Sequence, residues 1–292
     1  MTNKQIFDDK IKFNDITKHS NLALDLISNN RLKFREKSKK EVLREYELEK
    51  WKDIYERTKK LKTPRLKKVE SLHQNPNELS SYFYNDKFFV SQKQNINKYY
   101  IDLYFSFIKP YIKEASSIVE LGAGYGSKII GLSQINDIKK KPLFGFELTA
   151  NGCSTMDLIA KHTDLNLTTG FCDFENENIG IKDLPKRSII FTSYPLHYLP
   201  ELTIRLIKNI RQLKPLIVIH FEPIYQLYEN KTLHHEMCKK YFELNDYTKN
   251  ILSIIKEAGE KKFIAIRKIE PNIFGSNPFM PISVIEWKPL FN

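Results

Sequence analysis

Short apolar runs recur through the second half of the chain at 117–121, 142–148, 167–171, 188–193 and 215–221, each closed by a turn or by polar residues. Helical patterns lie between them, most clearly at 150–162. Strand-like runs separated by helical stretches predict βα units and a parallel sheet. Two further strands, 262–269 and 282–287, flank a proline-stiffened apolar loop at 271–281 and close the pattern as an antiparallel hairpin. Helices are also predicted at 92–113, 225–229 and 233–259. Nearer the N-terminus, Leu43, Tyr46, Trp51, Ile54, Tyr55, Thr58 and Leu61 fall at helical spacings. They predict an amphipathic helix over 38–61, with Glu56 placed to pair with Lys60 at i,i+4.

The first apolar run ends in Glu120 and enters a loop with glycine at every second position, Gly122-Ala123-Gly124-Tyr125-Gly126, before the next helical pattern. Glycine lets backbone pass close beneath a ligand and take positive φ at little cost. The helix that follows turns free N–H groups toward that ligand. An acid roughly 20 residues further on completes the layout of a nucleotide-type site on a doubly wound sheet. Glu147, at the end of the second strand, is that acid and is expected to accept hydrogen bonds from ribose hydroxyls.

The spacing Glu120-x-Gly122-x-Gly124-x-Gly126 resembles the first motif of the class I S-adenosylmethionine (SAM)-dependent methyltransferases more closely than the G-x-G-x-x-G dinucleotide fingerprint. An acid beside the loop suits a cationic sulfonium and would repel a pyrophosphate. The resemblance spans about 117–287. It implies an α/β fold, a seven-stranded Rossmann-like methyltransferase sheet, with SAM as cofactor. It also implies that Asp173 and Phe174, or Cys172, meet the adenine, and that the loop after the fourth strand, from Ser193, faces the methyl group. The expected cofactor residues are therefore Glu120, Gly122, Ala123, Gly124, Gly126, Glu147, Leu148, Asp173, Phe174 and Ser193.

Ligands bind outside the carboxyl ends of strands in open α/β sheets. His197 follows the fourth strand, and His220 and Glu222 end the fifth. A hydroxyl acceptor needs a general base, and histidine titrates near neutrality. His197 and His220 are thus the catalytic candidates, with Glu222 as orienter or alternate base. His234 and His235 are sequence neighbours that point apart on a helix, and no metal site is expected.

The net charge of +12 is concentrated, with 16 Lys or Arg against 8 Asp or Glu between 31 and 70. Such a segment either attracts an acidic partner such as RNA or forms the solvated face of a helical cap. The chain lacks an RNA-binding strand motif and the Asn/Asp-Pro-Pro-Tyr sequence of base N-methyltransferases, so nucleic acid is not favoured. The aromatic-rich 80–89 segment reads either as a lid or as core packing. Three scattered cysteines indicate neither a disulfide framework nor zinc. No signal peptide or membrane-length apolar run is evident, and the cytoplasm is expected.

The reading is a basic, helical N-terminal extension (1–90) followed by a methyltransferase domain (91–292). The resemblance implies that it methylates O or N, and a small-molecule or peptide acceptor in a specialised pathway is expected. An RNA methyltransferase and a non-catalytic SAM-binding scaffold are the alternatives.

Overall fold

The computed structural model describes residues 8–29, 33–176, 179–181 and 183–291. Its strands are β1 (Asp9–Ile11), β2 (Leu79–Tyr84), β3 (Lys87–Gln92), β4 (Ile118–Leu121), β5 (Leu143–Glu147), β6 (Leu167–Phe171), β7 (Ile189–Ser193), β8 (Ile217–Pro223), β9 (Ile264–Gly275) and β10 (Ile282–Pro289). All ten lie in one sheet, in the order β1-β3-β2-β9-β10-β8-β7-β4-β5-β6. Among the described residues the sheet therefore has ten strands rather than the expected seven.

The five parallel strands β6, β5, β4, β7 and β8 form one half of the sheet, and β10 and β9 add to β8 as an antiparallel pair. Ile118, Ile189 and Ile217 pack into one apolar layer, while Val119, Ile190 and Val218 pack into the layer on the opposite face. Burial on both faces explains why these strands read as continuous apolar runs instead of alternating ones. The order turns at β4, which has β5 on one side and β7 on the other. Loops after these strands diverge there and leave the crevice in which open α/β sheets bind ligands.

The three additional strands come from the first 92 residues, so the N-terminal extension is not wholly helical. β2 and β3 form a hairpin whose turn residues, Asn85 and Asp86, have φ of 44° and 59°. Two consecutive left-handed residues match the right-handed twist of a tight hairpin, and Asn and Asp tolerate them. β2 joins β9 through Phe83 and Tyr84. Tyr82 and Phe83 are buried, Tyr82 against the rings of Phe89, Tyr99 and Phe274. The aromatic-rich segment is thus core packing that widens the sheet.

The amphipathic stretch is helical from Lys39 to Lys59, with a wide π-type turn over Arg44–Lys50. The Ser38 side chain caps its start by accepting from Glu41 N (3.3 Å). Ile54 and Thr58 are buried, which places its apolar face on the core. Glu56 pairs with Lys59 (2.9 Å), one residue short of the expected Lys60. The predicted 233–259 helix is two helices, Leu233–Leu244 and Ile251–Glu260, separated where Asp246 takes φ 52°. Among the described residues no helix is long and apolar enough to cross a membrane.

Candidate active site

At the turn of the strand order, the glycine loop leaves β4 with φ of 74° at Gly122 and 58° at Gly124, values that few side chains tolerate. Space is as restrictive as conformation. A Cβ on Gly122 would stand 2.4 Å from Pro195 Cβ, and one on Gly124 would stand 3.1 Å from Trp51 Cζ2. The loop passes beneath a cavity of about 290 Å³ built from the ends of β4, β5, β6 and β7 and roofed by the N-terminal helical segment.

Nine of the ten expected cofactor residues line this cavity: Glu120, Gly122, Ala123, Gly124, Glu147, Leu148, Asp173, Phe174 and Ser193. Gly126 does not, because it lies behind the loop, where an added Cβ would meet Met156 Cγ at 2.6 Å.

The three acids are held in different ways. Glu120 is buried, and its Oε2 accepts from Ile129 N at 2.9 Å. Burial raises its pKa to about 8, against the opposing influence of that N–H and of Lys128. Glu147 is 7% exposed. Its Oε2 accepts from Gly124 N (2.8 Å), and its Oε1 accepts from Thr149 N (3.2 Å) and Thr149 Oγ1 (2.9 Å). Burial pushes its pKa up, and these donors hold it down. Asp173, 5% exposed, accepts from Glu175 N through Oδ1 (3.1 Å) and is ion-paired through Oδ2 with Lys39.

The catalytic assignment fares differently, since none of His197, His220 and Glu222 reaches the cavity wall. β8 runs between β7 and β10 and is buried along its whole length. His220 is enclosed there, with Nδ1 3.0 Å from Thr192 Oγ1 and Nε2 accepting from Trp287 Nε1 at 2.9 Å. Both ring nitrogens are engaged, and burial lowers its pKa to about 3. That geometry removes His220 as a base for a ligand in the cavity.

His197 sits in a short turn beneath Tyr198 and against the rings of Tyr194, Phe242 and Tyr247. Neither of its ring nitrogens has a hydrogen-bond partner, and burial lowers its pKa to about 3. Glu222 Oε2 lies 3.8 Å from His197 Nδ1 and accepts from Leu196 N (3.2 Å), while burial raises its carboxyl to about 8. Position at a strand's carboxyl edge predicted access; the turn 196–198 and the aromatic packing above it supply cover instead.

Sequence reading missed the roof. Lys39, Val42, Tyr46 and Trp51 line the cavity from the N-terminal segment, and Tyr125, Lys128, Tyr194, Pro195 and Tyr198 line it from the core. The amphipathic pattern had indicated that 38–61 docks on something, without saying where. Tyr194 carried no local signal, yet it takes φ 69°, uncommon for a bulky residue. Its hydroxyl is 2.6 Å from that of Tyr100 and donates to Met280 O (3.3 Å).

No known protein-family profile and no curated protein sequence matches the chain. Among solved structures it is similar to geranyl diphosphate C-methyltransferase from Streptomyces coelicolor, with 10% identity, 65% of this chain and 76% of that chain covered, and TM-score 0.46. It is also similar to magnesium protoporphyrin IX methyltransferase from Synechocystis, with 14% identity, 68% and 87% covered, and TM-score 0.46. The pyocyanin biosynthetic protein PhzM gives 12% identity, 68% and 56% covered, and TM-score 0.47. The order and direction of the strands from β4 to β10, with the glycine loop at the turn of that order, form a Rossmann-like α/β sheet.

Proposed function

We propose that this cavity binds SAM and that the protein transfers its methyl group to a small-molecule or peptide acceptor. One observation carries the reading: a bare-backbone glycine loop and three strand-end acids, Glu120, Glu147 and Asp173, converge on one cavity. The residues fit the group. Gly124 presents backbone without a side chain toward the roof. A carboxylate offers about four lone-pair positions, and three donors already use those of Glu147, leaving room for a ribose hydroxyl. Asp173 faces the same space with Phe174 beside it.

When bound, SAM supplies an electrophilic methyl group. The protein's part is to align a nucleophile with it and exclude water. The wall after β7 suits alignment, because Tyr194 is held by Tyr100 and by Met280 O, and Tyr104 bonds Ser193 Oγ at 2.8 Å. Among the described residues no histidine stands on the wall. An acceptor that brings its own reactive pair of electrons, as a neutral amine nitrogen or an already ionised oxygen, suits a wall without histidine. That same observation favours a second reading, a SAM-binding protein without methyl transfer, which turnover with any acceptor excludes.

RNA is disfavoured by charge bookkeeping on the roof. Of eight Lys and Arg between 37 and 59, six (Lys37, Lys39, Arg44, Lys50, Arg57 and Lys59) are ion-paired with carboxylates. The test of the cofactor class is thermal unfolding with S-adenosylhomocysteine (SAH) or NAD⁺. SAH at about 100 times its Kd adds roughly 2.7 kcal/mol to the folded state and raises Tm, whereas NAD⁺ leaves it unchanged. Stabilisation by NAD⁺ alone would overturn the proposal.

A further inference from the structure

We propose that the helical segment from Lys39 to Lys59 is a gate over the cavity, latched by the Lys39–Asp173 ion pair, and that the ligand competes with Lys39 for Asp173. The inference rests on the SAM reading, in which Asp173 meets the adenine amino group.

The segment is fastened at four places, each on a different loop of the core. Lys39 holds Asp173 after β6. The Tyr46 hydroxyl bonds that of Tyr198 after β7. The Glu47 carboxylate accepts from Asn151 N (3.1 Å) and Asn151 Nδ2 (2.9 Å) at the start of the helix after β5. Trp51 covers Gly124 and packs edge-on against Tyr125, with ring centroids 5.2 Å apart, after β4. The roof thus touches a loop after each of the four strands that build the site.

Space and chemistry single out the Lys39 contact. A cavity of about 290 Å³ is at the small end of ligand pockets, which run from about 300 to 1,000 Å³. Glu175 N takes one oxygen of Asp173 and Lys39 takes the other. An amino group that donates to the second oxygen meets the ammonium there, and the positive charge repels the incoming N–H, so the two compete for the carboxylate. Within the segment, the wide turn Arg44–Lys50 separates the Lys39 end from the Trp51 end. Such turns are frequent at functional sites. Releasing the latch can therefore move the first turn while Trp51 keeps its place on the loop.

A site that must open before it binds shows a weaker apparent affinity, reduced by the fraction of molecules that are open. Lys39→Met removes the ammonium and keeps most of the apolar stem, so it favours the open form and also leaves Asp173 in need of a donor. Both effects tighten binding. SAH is titrated calorimetrically into the wild type, Lys39→Met, Asp173→Asn and the double variant. The expected result is about 1.5- to five-fold tighter binding for Lys39→Met, the range for one partly exposed ion pair. In the Asp173→Asn background the same change should have no effect, because the contested carboxylate is gone. Hydrogen exchange of 38–59 without ligand should rise in Lys39→Met.

Unchanged or weaker binding by Lys39→Met, with SAH bound by the wild type, overturns the competition. An equal gain in the Asp173→Asn background does the same. Absence of SAH binding by every variant instead removes the cofactor reading, and the competition with it.

Discussion

Replacing Glu147 by Gln should destabilise the protein even with no ligand present. The carboxylate spans the base of the site, tying Gly124 N to Thr149 N and Thr149 Oγ1 at 2.8, 3.2 and 2.9 Å. Gln preserves shape but has one oxygen where Glu has two, and its NH₂ must face an N–H that it cannot accept. One charge-assisted bond is lost with its buried donor left unpaired, a single cost of roughly 1.5–3 kcal/mol, and the two remaining bonds each fall from charge-assisted to neutral, at about 0.5–1.5 kcal/mol. Relief of carboxylate desolvation, the influence that raises the Glu147 pKa, returns part of this. A net loss of about 3 kcal/mol follows. At about 2 °C per kcal/mol for a chain of this size, Tm falls by about 6 °C. The assay is calorimetric or fluorescence-detected unfolding of the ligand-free protein, with Thr149→Val as a companion losing about 1 kcal/mol for one hydroxyl donor. A Tm for Glu147→Gln within 1–2 °C (roughly 1 kcal/mol) of wild type would refute the bracing role. It would leave Glu147 as a ligand contact alone.

Two further outcomes follow from the same geometry. Gly124→Ala adds a Cβ 3.1 Å from Trp51 Cζ2 at φ 58°. It should lower stability by about 1–3 kcal/mol and shift Trp51 fluorescence, and an unshifted spectrum would argue against the roof's contact with the loop. Ligand-free stability should fall between pH 6.5 and 8. Above pH 6.5 the unfolded-state carboxyls are ionised while Glu120 and Glu222, with folded pKa values of about 8, stay protonated. Stability is then lost as pH rises to 8, by at most about 1.4 kcal/mol per unit for each carboxyl. Below pH 6.5 the unfolded chain protonates histidines that the fold keeps neutral: His197 and His220 near 3 and His234 near 4. Their stabilising contribution is lost as pH falls through 6.5, against the carboxyls' opposite trend. Glu222→Gln should flatten the alkaline limb, and a Tm that rises from pH 6.5 to 8 would contradict the assignment.

What the sequence disclosed was what depends on local spacing. Glu120, the alternate glycines, Glu147 and Asp173 each close an apolar run, and in a parallel sheet strand ends share one edge. Their convergence could therefore be read without coordinates. The β2–β3 hairpin went unread because its aromatic density drew attention away from the Asn85-Asp86 turn between two strand-length runs. His197 and His220 illustrate a different limit. Sequence places them at strand ends but carries no measure of depth, and their cover comes from Tyr198, Tyr247, Phe242 and Trp287, distant in the chain. The roof was half legible. Amphipathicity showed that 38–61 docks, while the docking partners, Asp173, Asn151 and Gly124, lie about 70 or more residues away in sequence and only the fold brings them together.

The central claim, that the cavity at the turn of the sheet is a SAM site, is tested most directly by calorimetric titration of the wild-type protein with SAM. Saturable binding at one site per chain, strongly weakened by Glu147→Gln, is the predicted result. No saturable heat up to about 1 mM, a binding free energy weaker than roughly −4.1 kcal/mol, would contradict it.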